Sequence, residues 1–92
     1  MLYAVYATDK PGSQAIRMAN RPAHLAYAKE WGQHVVMGGP LLADDNQTMV
    51  GSLVIFDLPD RASVERYLAG DPYGKAGLFE SVIVRAYKKI DL

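Results

Sequence analysis

The chain reads as an α+β protein of ferredoxin-like plan, an expectation that rests on three observations. Its apolar and amphipathic segments follow the order β-α-β-β-α-β, the split βαβ arrangement. Each strand segment is short and bounded by turn residues, which suits a four-stranded antiparallel sheet with two helices on one face. Two strands, Leu2 to Thr8 and Met49 to Leu58, are apolar on both parities. Helices on one side of a sheet leave the other side bare, so a doubly apolar strand predicts that the bare face is an interaction surface.

The elements follow in order. Leu2 to Thr8 is apolar and aromatic, and the turn chemistry of Asp9-Lys10-Pro11-Gly12 stops it. Ser13 is placed to cap a short helix through about Ala19, and Asn20-Arg21-Pro22 restarts it, because proline fits a first helical turn and clashes inside. The second piece runs from Pro22 to about Trp31 and closes at Gly32. His34 to Leu42 begins as a strand on Val35, Val36 and Met37 and loosens at Gly38-Gly39-Pro40. Asp44-Asp45-Asn46 makes the turn into Met49 to Leu58. Pro59-Asp60 then opens a helix from Arg61 to Ala69 with an inner stripe of Val64, Tyr67 and Leu68, and Leu78 to Lys88 is the last strand.

Composition narrows the function classes. The 92 residues show no composition break, which predicts one domain over 1–92, and ten basic residues balance ten acidic ones. A neutral chain has no global field for nucleic acid or an anionic membrane. Cysteine is absent, which removes disulfides and thiolate chemistry, and neither a signal segment nor an apolar run of spanning length is legible, so a cytoplasmic protein is expected.

The joint Gly70-Asp71-Pro72-Tyr73-Gly74-Lys75-Ala76-Gly77-Leu78-Phe79 is longer than a chain reversal needs. It delivers Asp71 from the end of the second helix, which in this topology packs beside the first. His24 lies on the first helix, with Tyr27 and Trp31 at i+3 and i+7 on nearly the same face. A carboxylate reaching an imidazole fixes its tautomer and raises its basicity, the logic of a general base. The plainer readings are a polar core histidine and an Asp-Pro turn opener. Arg17 and Arg21 are four residues apart and suit an anionic substrate, against the ordinary reading of solvated charge. Gly39, Pro40 and Gly51-Ser52 allow backbone to approach a ligand, Ser52 adds a hydroxyl, and Tyr73 and Phe79 supply apolar walls. His24 and His34, the two histidines, lie on different elements with no ligand spacing between them, so no metal site is expected.

Arg21-Pro22-Ala23-His24, Gly39-Pro40-Leu41, Gly51-Ser52 and the run from Asp71-Pro72 to Gly77-Leu78 together resemble the YCII-related (YciI-like) family over nearly the whole chain. The resemblance implies the dimeric α+β-barrel version of the ferredoxin-like fold and a His–Asp pair in a pocket, carried here onto His24 and Asp71. One branch of that family eliminates chloride from a chlorinated hydroxyhydroquinone, and the related muconolactone isomerases shift protons on a lactone.

Three function classes stand at this point. An enzyme using His24 and Asp71 for proton abstraction, isomerisation or elimination on a small ring needs no cofactor. A non-catalytic homodimer would bind a small ligand in the same pocket. An RNA-recognition module shares the element order, but Val50-Gly51-Ser52-Leu53-Val54-Ile55-Phe56-Asp57 lacks the basic lead residue and the stacking aromatics of that motif, so no nucleic-acid partner is expected.

Overall fold

The computed structural model describes residues 1–92. Its strands are β1 (Leu2–Asp9), β2 (Val35–Leu42), β3 (Met49–Asp57) and β4 (Phe79–Tyr87), and its helices are α1 (Gln14–Glu30), α2 (Arg61–Gly70) and the single-turn α3 (Pro72–Lys75). A 3-10 turn at Gly32–His34 leads into β2. The sheet runs β2-β3-β1-β4 with every neighbouring pair antiparallel, which is the expected α+β plan.

Register decides which residues meet the helices. Tyr3 pairs with Phe56, Val5 with Val54 and Ala7 with Ser52, so the helix-facing series on β1 is Tyr3, Val5, Ala7 and Asp9. Side chains along that row shrink from aromatic to methyl and end in a carboxylate. At the large end Val5, Phe56, Leu58, Val64, Tyr67 and Val84 form the core, with Tyr27 and Trp31 of α1 packed against it. Towards the small end there is less side chain to fill the space under α1, and a cavity opens there.

The opposite face carries Tyr6, Met37, Ile83 and Tyr87, all exposed. Both strand faces are therefore apolar as expected, but Phe56 belongs to the helix side and is fully buried there. It is not available to a partner on the bare face.

Four local expectations need correction. α1 is continuous, with Pro22 inside it. Proline removes one backbone donor, and because Met18 and Pro22 both lie on the exposed side the break in bonding falls towards solvent, where it costs least. Ser13 stands at the N-cap position without capping, since its backbone is not extended there and its hydroxyl donates to the carbonyl of Lys10. β2 stays in the sheet through Leu42 instead of loosening, because it is an edge strand, where the missing proline amide is tolerated; register shifts flank it at Val35/Met37 and Leu41/Leu42. The joint after α2 holds the helical turn α3, closed by Gly77 at φ +72°, a conformation that glycine adopts without strain.

Candidate active site

Asp71 occupies two structural roles at once, ending α2 and capping α3. Its Oδ1 accepts from the Tyr73 amide at 3.0 Å, the turn-opening bond that Asp-Pro predicts, and also from His24 Nδ1 at 2.8 Å. A carboxylate only accepts, so Nδ1 carries the hydrogen and the neutral ring keeps its lone pair on Nε2. Both side chains are largely buried, at 14% exposure for His24 and 4% for Asp71. The backbone anchor leaves the carboxylate little freedom to turn away from the ring.

The ring is held on its face as well as its edge. Tyr73 stacks on His24 with centroids 3.9 Å apart and planes 13° from parallel, and Phe79 meets Tyr73 edge-on at 6.1 Å. Tyr27 and Trp31, expected beside His24, instead pack with Tyr67 in the core. They share nearly the same helix face but lie one and two turns further along α1, where Tyr67 of α2 is opposite, while His24 sits at the level of α3. Tyr27 Oη donates to the Tyr67 carbonyl at 2.8 Å, and a side chain at Gly70 would run into the Tyr27 ring, with Cζ only 2.8 Å from a methyl placed there.

A second buried pair lies at the end of β1. Arg17 Nε donates to Asp9 Oδ2 at 2.7 Å and Nη2 to Asp9 Oδ1 at 3.0 Å, a two-pronged clasp of the carboxylate. Nη2 also donates to Ser52 Oγ at 2.9 Å, and the guanidinium lies over the Tyr73 ring at 4.6 Å. Burial opposes the charge on Arg17, but the hydrogen bond and charge of Asp9 outweigh it and hold its pKa above the ordinary value. Tyr73 is raised by burial, against the lowering influence of Arg17 and Arg21, so its phenol stays protonated at neutral pH.

Arg17, Arg21, His24, Gly39, Pro40, Ser52 and Tyr73 all border the cavity, whose volume is about 360 Å³, the size range of small-ligand pockets. Phe79 does not border it and braces Tyr73 from behind. Val35, Val54, Ala28, Leu25 and Tyr67 give it apolar walls, and its charged lining is Arg17, Arg21 and Lys29, with no carboxylate. Asp9 and Asp71 stand one layer back.

The sequence reading missed Asp9, taken as turn chemistry. The signal was present in its parity, since Asp9 continues the alternation Val5, Ala7 that faces the helices, and Arg17 lies in the first turn of α1. Tyr67, taken as core only, serves both the core and the cavity wall.

Comparison with known proteins identifies the family and the fold. The YCII-related domain matches residues 1–88. Protein YciI of Escherichia coli O6:H1 is 35% identical, covering 98% of this chain and 99% of that protein, and an uncharacterized protein of Haemophilus influenzae is 32% identical over the same share of each. Among solved structures, 5-chloro-2-hydroxyhydroquinone dehydrochlorinase (TftG) from Burkholderia phenoliruptrix AC1100, in complex with 2,5-dihydroxybenzoquinone, superimposes with a TM-score of 0.88 at 36% identity, covering 96% of this chain and 94% of that one. SnoaB, a cofactor-independent oxygenase from Streptomyces nogalater, shares the fold at a TM-score of 0.63 and 15% identity, covering 97% of this chain and 94% of its own. With the family model spanning almost every residue and two relatives above 30% identity along their full length, this chain belongs to the YCII-related family.

Proposed function

We propose that this protein is a small-molecule enzyme of acid/base type, in which His24 removes a proton from a small cyclic or aromatic metabolite and Asp71 orients the ring and supports the imidazolium that forms. The observation that carries this reading is the 2.8 Å bond from His24 Nδ1 to a backbone-anchored carboxylate at the wall of a cavity with cationic lining. Such chemistry needs no cofactor, because the proton moves between Nε2 and the substrate and returns by the same route. Isomerisation and elimination both begin with that step. Similarity to TftG favours hydroxylated rings as the first substrates to try.

The active unit in this reading is a cytoplasmic homodimer, joined through the helix-free sheet face. Tyr6, Met37, Ile83 and Tyr87 support it, being exposed apolar side chains gathered on that one face. Light scattering is expected to give the mass of two chains at micromolar concentration; a stable monomer would remove this part of the reading.

The experiment is turnover of 5-chloro-2-hydroxyhydroquinone, followed by chloride release, for wild type, His24→Gln and Asp71→Asn. Glutamine fills similar space without a titratable group, so a lost base shows as a fall of roughly a hundred- to ten-thousand-fold per folded molecule. Asp71→Asn is expected to lose less. Near-wild-type turnover in His24→Gln sinks the assignment, and a chain that binds hydroxylated rings without turning any over is the ligand-binding homodimer instead.

A further inference from the structure

The cavity is served by two carboxylate-anchored chains, and only Asp71–His24 has been given a task. The other runs Asp9–Arg17–Ser52 and ends in a hydroxyl on the cavity wall. Its direction is set by chemistry. A guanidinium has donors only, so Ser52 Oγ accepts from Arg17 Nη2 and makes no other hydrogen bond within the chain. The Ser52 proton is therefore left for something in the cavity, and an oxygen that receives a charged donor gives up its own proton in a stronger bond. Arg17 is itself held on two atoms by Asp9, with both side chains no more than 5% exposed, so Ser52 is fixed rather than free to turn. Arg21 and Lys29 add positive charge to the same lining without forming an ion pair of their own.

We propose that Ser52 is the oxyanion donor of this site, positioned by Arg17 and Asp9, and that the cavity takes a ring bearing a phenolate or enolate oxygen. This rests on the reading of His24 as base. As His24 Nε2 takes a proton from a ring carbon beside a carbonyl, the C–H electron pair becomes the new C=C bond and the carbonyl π pair moves onto oxygen. Ser52 donates to that oxygen, where charge develops. Ser52 is in this sense a catalytic residue, and Arg17 and Asp9 are positioning residues.

The test separates this role from that of His24. 4-Nitrophenol is a ring probe whose phenol and phenolate forms differ in visible absorbance, so the affinity of each form is read from one titration across pH. Wild type is expected to bind phenolate in preference to phenol, so that the bound probe ionises at lower pH than the free one. Ser52→Ala should lose roughly ten- to a hundredfold of that preference, the worth of one hydrogen bond to a charged group. Ser52→Thr, which restores the hydroxyl, should keep it, and so should His24→Gln. A purely structural serine predicts equal weakening of both forms and an unchanged ratio, which overturns the proposal. So does a wild-type chain that prefers the neutral phenol or binds neither form, and so does loss of the preference in His24→Gln. Undiminished turnover in His24→Gln with the Ser52 effect intact sinks the base and leaves the oxyanion donor standing. Each protein is compared at a temperature where circular dichroism shows it folded.

Discussion

The two ends of the space between sheet and helices are built from the same elements and held together by different physics. At one end Phe56, Val64, Tyr67 and Leu58 are buried by apolar contact, with ring centroids of Phe56 and Tyr67 4.7 Å apart. At the other, the buried Arg17, Asp9 and Asp71 and the half-buried Ser52 and His24 are held by hydrogen bonds. The apolar end tolerates small shifts of its side chains because dispersion has no preferred direction. The polar end does not, since each charge left without its partner costs the full desolvation of that group. The cavity reaches from the second end, where Ala7 and Ser52 replace the large side chains found at Tyr3 and Phe56, to Tyr67 and Val35 at the margin of the first.

Truncation is the strongest way to probe that contrast. Phe56→Ala should cost about 3–5 kcal/mol in urea denaturation, the usual range for a buried phenylalanine. Asp9→Ala should cost a similar amount, about 3–5 kcal/mol, by leaving the Arg17 charge buried and unpaired. The two differ in how they are rescued. Adding Arg17→Met to Asp9→Ala should return much of the lost stability, because the pair is then replaced by apolar atoms. No recovery in the double variant would mean that the polar end is held by shape, as the core is.

A smaller effect is expected where the two ends join. Gly70 ends α2 against the Tyr27 ring, so Gly70→Ala should destabilise by about 1–3 kcal/mol as an overpacked contact. Because position 70 directly precedes Asp71, the substitution is also expected to lower affinity for 4-nitrophenol along with thermal stability. A stability loss with binding unchanged would show that the two ends are mechanically independent.

The mildest probe is alkaline pH. Tyr67 has a raised pKa, first through burial and then through the charge of Asp71, and Tyr73 is raised by burial. Each ionises more readily in the unfolded chain, so the stability they contribute is complete below about pH 10 and is lost as pH climbs through the folded values. Urea midpoints measured at rising pH should fall in that window, and Tyr67→Phe should flatten the fall.

Much of the architecture was legible from periodicity. The alternation in β1 and β3, the stripe Val64, Tyr67 and Leu68 in α2, and the turn residues between them give the element order and, through it, the sheet order. The meeting of His24 with Asp71 was foreseeable from that order, since it places the end of α2 beside α1. The continuity of α1 through Pro22 was not legible, because a local rule against internal proline is overridden when the lost bond faces water. Neither was α3, four residues long and made of Pro72, Tyr73, Gly74 and Lys75, a composition that reads as turn.

What the sequence determined by itself was the repeat of each segment, the neutral and cysteine-free composition, and the two apolar faces of the sheet. These depend on neighbours within a few positions, which is the range over which backbone sterics and side-chain direction act. The tertiary structure decided which polar atoms share a space. Ser52 meets Arg17 across 35 residues and Asp71 meets His24 across 47, and only the packing of α1 and α3 against the sheet brings those groups to 2.9 and 2.8 Å. Hydrogen bonds of that length require alignment to fractions of an ångström, and a pattern of hydrophobicity along a chain carries no such precision.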